Sequence, residues 1–358
     1  MAIKNSYVGI DIGHMNIRIV QAERTAAGIR ITKVAETETP EDTVRDGLIR
    51  DPELVGGAIK QAMKEAHIHA QKAVIAASGG AVFVRSVPFP KMNAQMLRES
   101  IRFEASRYVP GSIEDSYVEG EVVGNIGETQ MNVLLAAAPR DIVDGRIATC
   151  NAAGLDVTVV EIETFAAYRA LLESDTAKLS DSKTYILVDI GATNTTVSVI
   201  ERGIYVMHRS MPAAGNTWTD GLRSAFKLET VDAEAGKRAL DLSEILTNSG
   251  KENPPLKVIA TQIDELIREL RRSMNYLQTQ NQGSEASQNT QIDGMYLCGG
   301  GAKLKGLDQY IQSKLGIPVT TIGVFDNPII TQNGGITGSG VDLAVATGLA
   351  MRPMLSAA

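Results

Sequence analysis

Cysteine is nearly absent from this chain: only Cys150 and Cys298 occur in 358 residues. They stand far apart, with no close pair to ligate a metal and no set of partners to build a disulfide framework. A reducing cytoplasm fits that usage. Aromatic residues are also scarce, at 4% with a single tryptophan, while hydrophobic residues reach 44%. An aliphatic core of the α/β kind accommodates both values and excludes fibrous or disordered classes. No apolar run reaches about 18 residues, the opening MAIKNSYVGI has no signal-peptide apolar region, and the closing MRPMLSAA is too short for an amphipathic anchor. Association with a membrane is therefore expected only through a partner. Positive charge is not in excess either: the net charge is −7 at pH 7, which disfavours a nucleic-acid binder, since that needs a basic face.

What the chain does contain is a repeat. Tyr7 to Val20 reads YVGIDIGHMNIRIV, and Tyr185 to Ile200 reads YILVDIGATNTTVSVI. Each copy is an apolar run ending in Asp-Ile-Gly, then a polar turn, then a second β-rich run, which is the pattern of a β-hairpin. Glycine and small residues in such a turn let backbone N–H groups approach an anion closely, and a carboxylate at the strand end would face a cation. A single such turn is an ordinary hairpin; the duplication is what points to a site. At 358 residues the chain exceeds one typical core, so two lobes are expected.

In chain order, Gly28 to Val34 extends the first hairpin, Asp51 to Ala66 reads as an amphipathic helix, and Lys72 to Ser78 as a buried strand. From Ala81 to Leu155 the pattern becomes β-α-β-β-α: Val82 to Pro90, a helix from Ala94 to Tyr108, strands Ser116 to Val123 and Met131 to Ala138, and a helix from Asp141 to Ala153. That segment is the size of an inserted subdomain. Val157 to Leu172 passes from strand to helix. After the second hairpin comes a mostly helical region, whose long helix Leu256 to Leu277 carries Ile259, Ile263, Leu266, Ile267, Leu270, Met274 and Leu277 on one stripe, read as core. A polar run from Gln278 reads as a surface loop. Strand Met295 to Cys298 runs into Gly299-Gly300-Gly301, a helix covers Leu307 to Leu315, and a small-residue helix begins near Val341.

Two Asp-x-Gly hairpins 189 − 11 = 178 residues apart, a strand ending in three glycines and a small-residue final helix resemble the actin-like ATPase superfamily. Three stretches resemble the PilM family of type IV pilus assembly proteins within it: VPFPKM…LRESIRFEASRYVP, VLLAAAPRDIVDG…AGL and VEIETFAAYRAL. The cell-division protein FtsA shares the architecture, but the membrane-binding helix expected of it is not found here. The resemblance implies an α/β fold of two lobes, each a ribonuclease-H-like domain, with the inserted β-α-β-β-α subdomain in lobe 1. It implies a first-lobe core from residues 1–80, 156–184 and 341–358, the insert at 81–155, a second-lobe core from 185–215 and 291–340, and a helical subdomain at 216–290.

The same resemblance implies ATP and Mg²⁺ as cofactors. Asp11 and Asp189 would hold the ion mostly through water. Gly13, His14, Met15 and Asn16 would form one phosphate loop, and Gly191, Ala192, Thr193 and Asn194 the other. Arg18 matches a basic residue that reaches the β-phosphate. His14 stands where a Ser or Thr is usual, so one hydroxyl contact is replaced by an imidazole or lost. Glu163, with Asp11, matches the catalytic pair, Glu163 polarising the attacking water; it also suits a helix start, where a carboxylate meets the positive dipole end. Glu234, Lys237 and Arg238 match a pattern that contacts adenine and ribose, though charges at that spacing also make a solvated helix face. Gly215, Gly299, Gly300, Gly301 and Lys303 complete the nucleotide set.

The function implied is a cytoplasmic ATP-binding component of the pilus inner-membrane platform, docking the N-terminal tail of PilN through residues 81–155 and turning over slowly at most. A filament-forming FtsA-like protein and a small-molecule kinase of the same superfamily stay open beside it. Other platform proteins, motor ATPases and further copies of the chain are the remaining partner classes. Arg98, Arg102 and Arg107 among Leu97, Ile101 and Phe103 suggest an apolar groove with basic rims for the tail.

Overall fold

The computed structural model describes residues 6–173, 183–247, 252–280, 291–333 and 338–355. Two mixed sheets organise it. The first runs in the order Asp156–Ile162, Lys72–Ala77, Tyr7–Ile12, Asn16–Thr25, Gly28–Glu38, Ile330–Gln332. Its central strand Tyr7–Ile12 pairs antiparallel with Asn16–Thr25 and parallel with Lys72–Ala77. Such a strand is covered on both faces, which is why it is a continuous apolar run rather than an alternating one. On one face Val8, Ile10 and Ile12 pack with Val55 and Ile59 of the helix Pro52–Glu65 and with Cys150 of the helix Arg140–Ala152. On the other lie Glu163–Tyr168 and the C-terminal helix Ala344–Leu355. That last helix is rich in small residues because it sits close to its neighbours: a Cβ on Gly348 would lie 1.8 Å from Ala166 O. It starts three residues after Val341, following a largely buried turn.

The second sheet has eight strands, in the order Val319–Thr321, Gly294–Cys298, Thr184–Ile190, Thr195–Glu201, Ile204–Met211, Phe83–Pro90, Gln130–Pro139, Ser116–Ile126. Its covering layer is helical. Gly215–Phe226 and the long Pro254–Gln280 bring Trp218, Leu222, Ile259, Ile263, Leu266, Ile267 and Leu270 against Ile186, Val188 and Leu297. The stripe read from the sequence is this face; Leu277 is buried as well, and Met274 is half-buried against it. Most of the polar run from Gln278 lies outside the described residues.

The segment from Ala81 to Leu155 has its five elements in the expected order, but they do not share one core. Val87, Phe89, Leu97, Ile101, Val133 and Leu135 enclose a core of the first four elements. The closing helix Arg140–Ala152 packs instead on Pro52–Glu65 of the first lobe, so the self-contained unit ends near Pro139. The inserted unit also joins the second sheet: Arg85 pairs with Met207, and His208 Nε2 lies 3.0 Å from Val82 O. Ile330–Gln332 differs from the division read from the sequence in the other direction. It pairs parallel with Gly28–Glu38, so the chain returns to the first lobe before residue 340.

The groove read on the insert's first helix takes a different form. Leu97 and Ile101 are buried in the unit's own core, since they are the apolar stripe of Ala94–Ala105. Arg102 donates to the carbonyls of Ser116 (3.1 Å) and Ile113, and Arg107 pairs with Glu104 at 3.0 Å while lying over the Phe103 ring. Phe103 itself is 70% exposed.

Candidate functional site

The two Asp-x-Gly stretches fold into the same turn twice. Gly13 N–H donates to Asn16 O and Gly191 N–H to Asn194 O, each at 3.0 Å. Asp11 stands opposite Arg18 across the first hairpin and Asp189 opposite Thr196 across the second. Gly294–Cys298 runs parallel to Thr184–Ile190 with Cys298 beside Asp189, so the three glycines follow directly alongside that carboxylate. Only glycine fits at 299: its φ is +85°, and a Cβ there would lie 2.2 Å from Asp189 Oδ1. Gly300 has open space around it and faces the cleft.

All the residues of the nucleotide set named from the sequence line one cleft of about 570 Å³ between the lobes. Gly215 opens the helix Gly215–Phe226 there, its N–H bonded to Gly191 O at 3.1 Å and its carbonyl accepting from Lys237 Nζ at 3.2 Å. Glu234 accepts from Thr219 Oγ1 at 2.6 Å and pairs with Lys237 and Arg238 at 2.6 and 2.9 Å. Burial alone would raise the Glu234 carboxyl, but these partners hold it below its ordinary value. The cluster thus lines the cleft and is internally paired at the same time.

Three carboxylates share the floor. Burial pushes Glu163 up to about 8, with Asp189 and Asp11 adding to the effect, while Thr196 Oγ1 lies 3.4 Å from its Oε1. Burial, then the Asp11 charge, pushes Asp189 up to about 7. Asp11 is raised too, by burial, although Arg18 and Arg146 oppose it. Like charges gathered out of water resist ionisation, and a bound cation would relieve them. Among the described residues no group of three or more His, Cys, Asp or Glu has a geometry that holds a metal directly. The donor set therefore fits an ion that keeps most of its own waters, as Mg²⁺ does, and not a fully protein-ligated one.

His14 is fixed in a way the sequence did not disclose. Its Nδ1 lies 2.8 Å from Val44 O, a group that only accepts, so Nδ1 carries the proton. In the neutral ring Nε2 is then an acceptor, and only the imidazolium donates from that side. Arg18 pairs with Glu36 and with Asp342, both at 2.9 Å, and Lys303 reaches the same Asp342 at 2.5 Å. Burial would raise Asp342, but Arg18 and Lys303 hold it below its ordinary value. Asp342 thereby links the first-lobe hairpin to the glycine turn of the second lobe.

Sequence reasoning missed Asp342, Asp46 and Arg146, all of which line the cleft. Asp46 sits at a φ of 47° and accepts from Gly80 N–H (3.0 Å) and Asn194 Nδ2 (3.1 Å), spanning the lobes. For Arg146 a signal was present: Ile142, Arg146 and Cys150 follow at four-residue steps on one buried helix face. An arginine on an apolar stripe is either paired or functional.

A family model described as type IV pilus assembly protein PilM matches residues 9–354. The chain belongs to the PilM family. A solved PilM-PilN type IV pilus biogenesis complex is 26% identical, with a TM-score of 0.81 over 97% of this chain and 98% of that one. MreB 5 of Spiroplasma citri bound to AMPPNP aligns less closely, covering 99% of this chain and 97% of its own at 14% identity and a TM-score of 0.53. Cell division protein FtsA of Bacillus subtilis (strain 168) is 23% identical over 259 residues, 65% of this chain and 58% of that protein. The fold is the two-lobed actin-like ATPase fold. Among the described residues no helix is long and apolar enough to cross a membrane.

Proposed function

We propose that the cleft binds ATP with Mg²⁺ and that nucleotide acts chiefly as a structural or switching ligand in a pilus assembly platform. The observation that carries this reading is the convergence of three backbone turns, Gly13–Asn16, Gly191–Asn194 and Gly299–Gly301, on one cleft floored by Asp11 and Asp189. Turned-in N–H groups suit a polyphosphate, and carboxylates behind them suit its counter-ion. Asp11 and Asp189 would hold the waters of Mg²⁺, which supplies charge neutralisation between the phosphates. Arg18 and Lys303 are cations of the cleft lining, and both are shared with Asp342. Lys237, at Gly215 and Glu234, would face the ribose and base side.

Glu163 is the group placed to orient an attacking water. In the metal-free cleft burial holds its carboxyl up at about 8, and a protonated acid is a poor general base, so it serves as a base only where a bound cation lowers it. The missing hydroxyl at His14 supports slow turnover.

The inserted unit is the proposed docking surface for the N-terminal tail of a membrane protein of the PilN kind, and docking would bring this chain to the inner membrane from the cytoplasm. The nucleotide motifs lie outside it, and it presents exposed Met96, Phe103 and Tyr117. The test is hydrogen exchange on the whole chain with a synthetic PilN tail peptide, with and without Mg²⁺ and ATP. The peptide should slow exchange within residues 81–155. Protection confined to the helical region 216–280 would place the partner elsewhere.

A further inference from the structure

The inserted unit has two covalent crossings to the first lobe. The chain enters it through Ser78–Gly80 and leaves through Arg140–Ala152, which follows the strand Gln130–Pro139 with no intervening loop. Arg146 lies on the inner face of that exit helix, only 2% exposed. Its guanidinium donates to Ser78 Oγ at the entrance, to Ile12 O (3.4 Å) beside Asp11, and to Gly47 O (3.3 Å) in the turn of the two-stranded hairpin Val44–Arg45/Leu48–Ile49. The neighbouring Asp46 takes Gly80 N–H at the entrance and Asn194 Nδ2 in the second-lobe turn. Entrance, exit and both phosphate turns therefore belong to one hydrogen-bonded cluster.

None of the three acceptors of Arg146 is charged. Its bonds instead reach three separate elements, the entrance, the end of the strand Tyr7–Ile12 and the turn at Gly47, and one planar fork fixes their relative placement. We infer that Arg146 is a positioning residue that couples the inserted unit to the carboxylate floor, so that a shift of the exit helix moves the Asp11 turn and the Gly47 turn together. The functional meaning rests on the nucleotide reading above; the wiring itself does not. Lysine would keep the charge but not the fork, because one ammonium does not span three separately placed acceptors.

The test is hydrogen exchange on the whole chain as wild type, Arg146→Lys and Arg146→Met. Without nucleotide, both variants should exchange faster than wild type at all three elements the guanidinium holds, Ser78–Gly80, the end of Tyr7–Ile12 and the turn at Gly47. Should R146M fail to fold, R146K alone makes this comparison. With Mg²⁺ and ATP at concentrations that saturate each protein, wild type should change its exchange at Phe83–Pro90 and Gln130–Pro139, and R146K should lose that change. The inference is overturned if exchange rises only within Arg140–Ala152, which would make Arg146 a packing residue, or if R146K transmits the nucleotide signal as wild type does. Absence of ATP binding by wild type would instead defeat the nucleotide reading, and the nucleotide-free exchange would still decide the wiring.

Discussion

Replacing Gly299 by alanine would place a methyl carbon 2.2 Å from Asp189 Oδ1, 2.7 Å from Ile190 O and 2.9 Å from Ile190 N, at a φ of +85°. Two costs follow. The left-handed backbone penalises an L side chain by about 1–2 kcal/mol, and forcing a methyl into a filled space costs about 1–3 kcal/mol more. Since two of the three contacts are backbone, the strand bearing Asp189 has to move and the carboxylate with it. A total of roughly 2–5 kcal/mol corresponds to a Tm lower by about 3–7 °C in a chain of this size, with ATP affinity falling alongside. Gly300→Ala separates fold from ligand. A Cβ there meets nothing within 4 Å, so the Tm should hold or rise slightly. Because Gly300 faces the cleft, the methyl should still obstruct the nucleotide, weakening ATP by about tenfold, or ~1.4 kcal/mol. Differential scanning fluorimetry and calorimetry on both variants make the comparison. The reasoning is refuted if G299A matches wild type in Tm, or if G300A binds ATP as wild type does.

Three further outcomes are expected. Glu163 and Asp189, pushed up to about 8 and about 7, bind protons in the folded state that the unfolded chain releases, so their contribution to stability is complete below the ordinary carboxylate range and is lost as pH rises toward about 8; thermal scans should show this decline flattened in Glu163→Gln, and an unchanged slope would contradict the burial argument. Steady-state ATP turnover should stay at or below about one per second, the low end for enzymes, and vanish in Glu163→Ala; a fast rate that survives the substitution would make this a working ATPase with another base. Lys237→Ala removes the cation that joins Gly215, Thr219 and Glu234 and should weaken ATP by about tenfold while GTP binding, if present, changes less; equal loss for both would assign Lys237 to the fold.

Much of the site was legible because it is built from local turns. Asp-x-Gly after an apolar strand, and three glycines after another, specify backbone geometry within a few residues, so Asp11, Asp189 and Gly299 to Gly301 could be placed without tertiary knowledge. The stripe of the long helix was legible for the same reason: a period of 3.6 survives any context. Arg146, Asp46 and Asp342 act across 34 (Asp46 to Gly80) to 342 − 18 = 324 residues of sequence, and nothing in their neighbourhoods marks the loop they will meet. The insert's boundary was misjudged on similar grounds. Arg140–Ala152 follows the unit's last strand in sequence, yet its buried face fits Pro52–Glu65 better than the unit's own filled core. His14 and Arg102 show a third limit, since the partner that fixes each is a backbone carbonyl, Val44 O and Ser116 O, and carbonyls carry no sequence signature.

The central claim is that the two aspartates and three backbone turns form one Mg²⁺-dependent nucleotide site. Isothermal titration of ATP into wild type and Asp189→Ala, each with Mg²⁺ and with chelator, tests it most directly. Wild type should bind with an affinity that depends on Mg²⁺, and Asp189→Ala should lose that dependence together with at least about tenfold in affinity. Equal affinity in both proteins, or binding indifferent to the metal in wild type, would contradict the assignment.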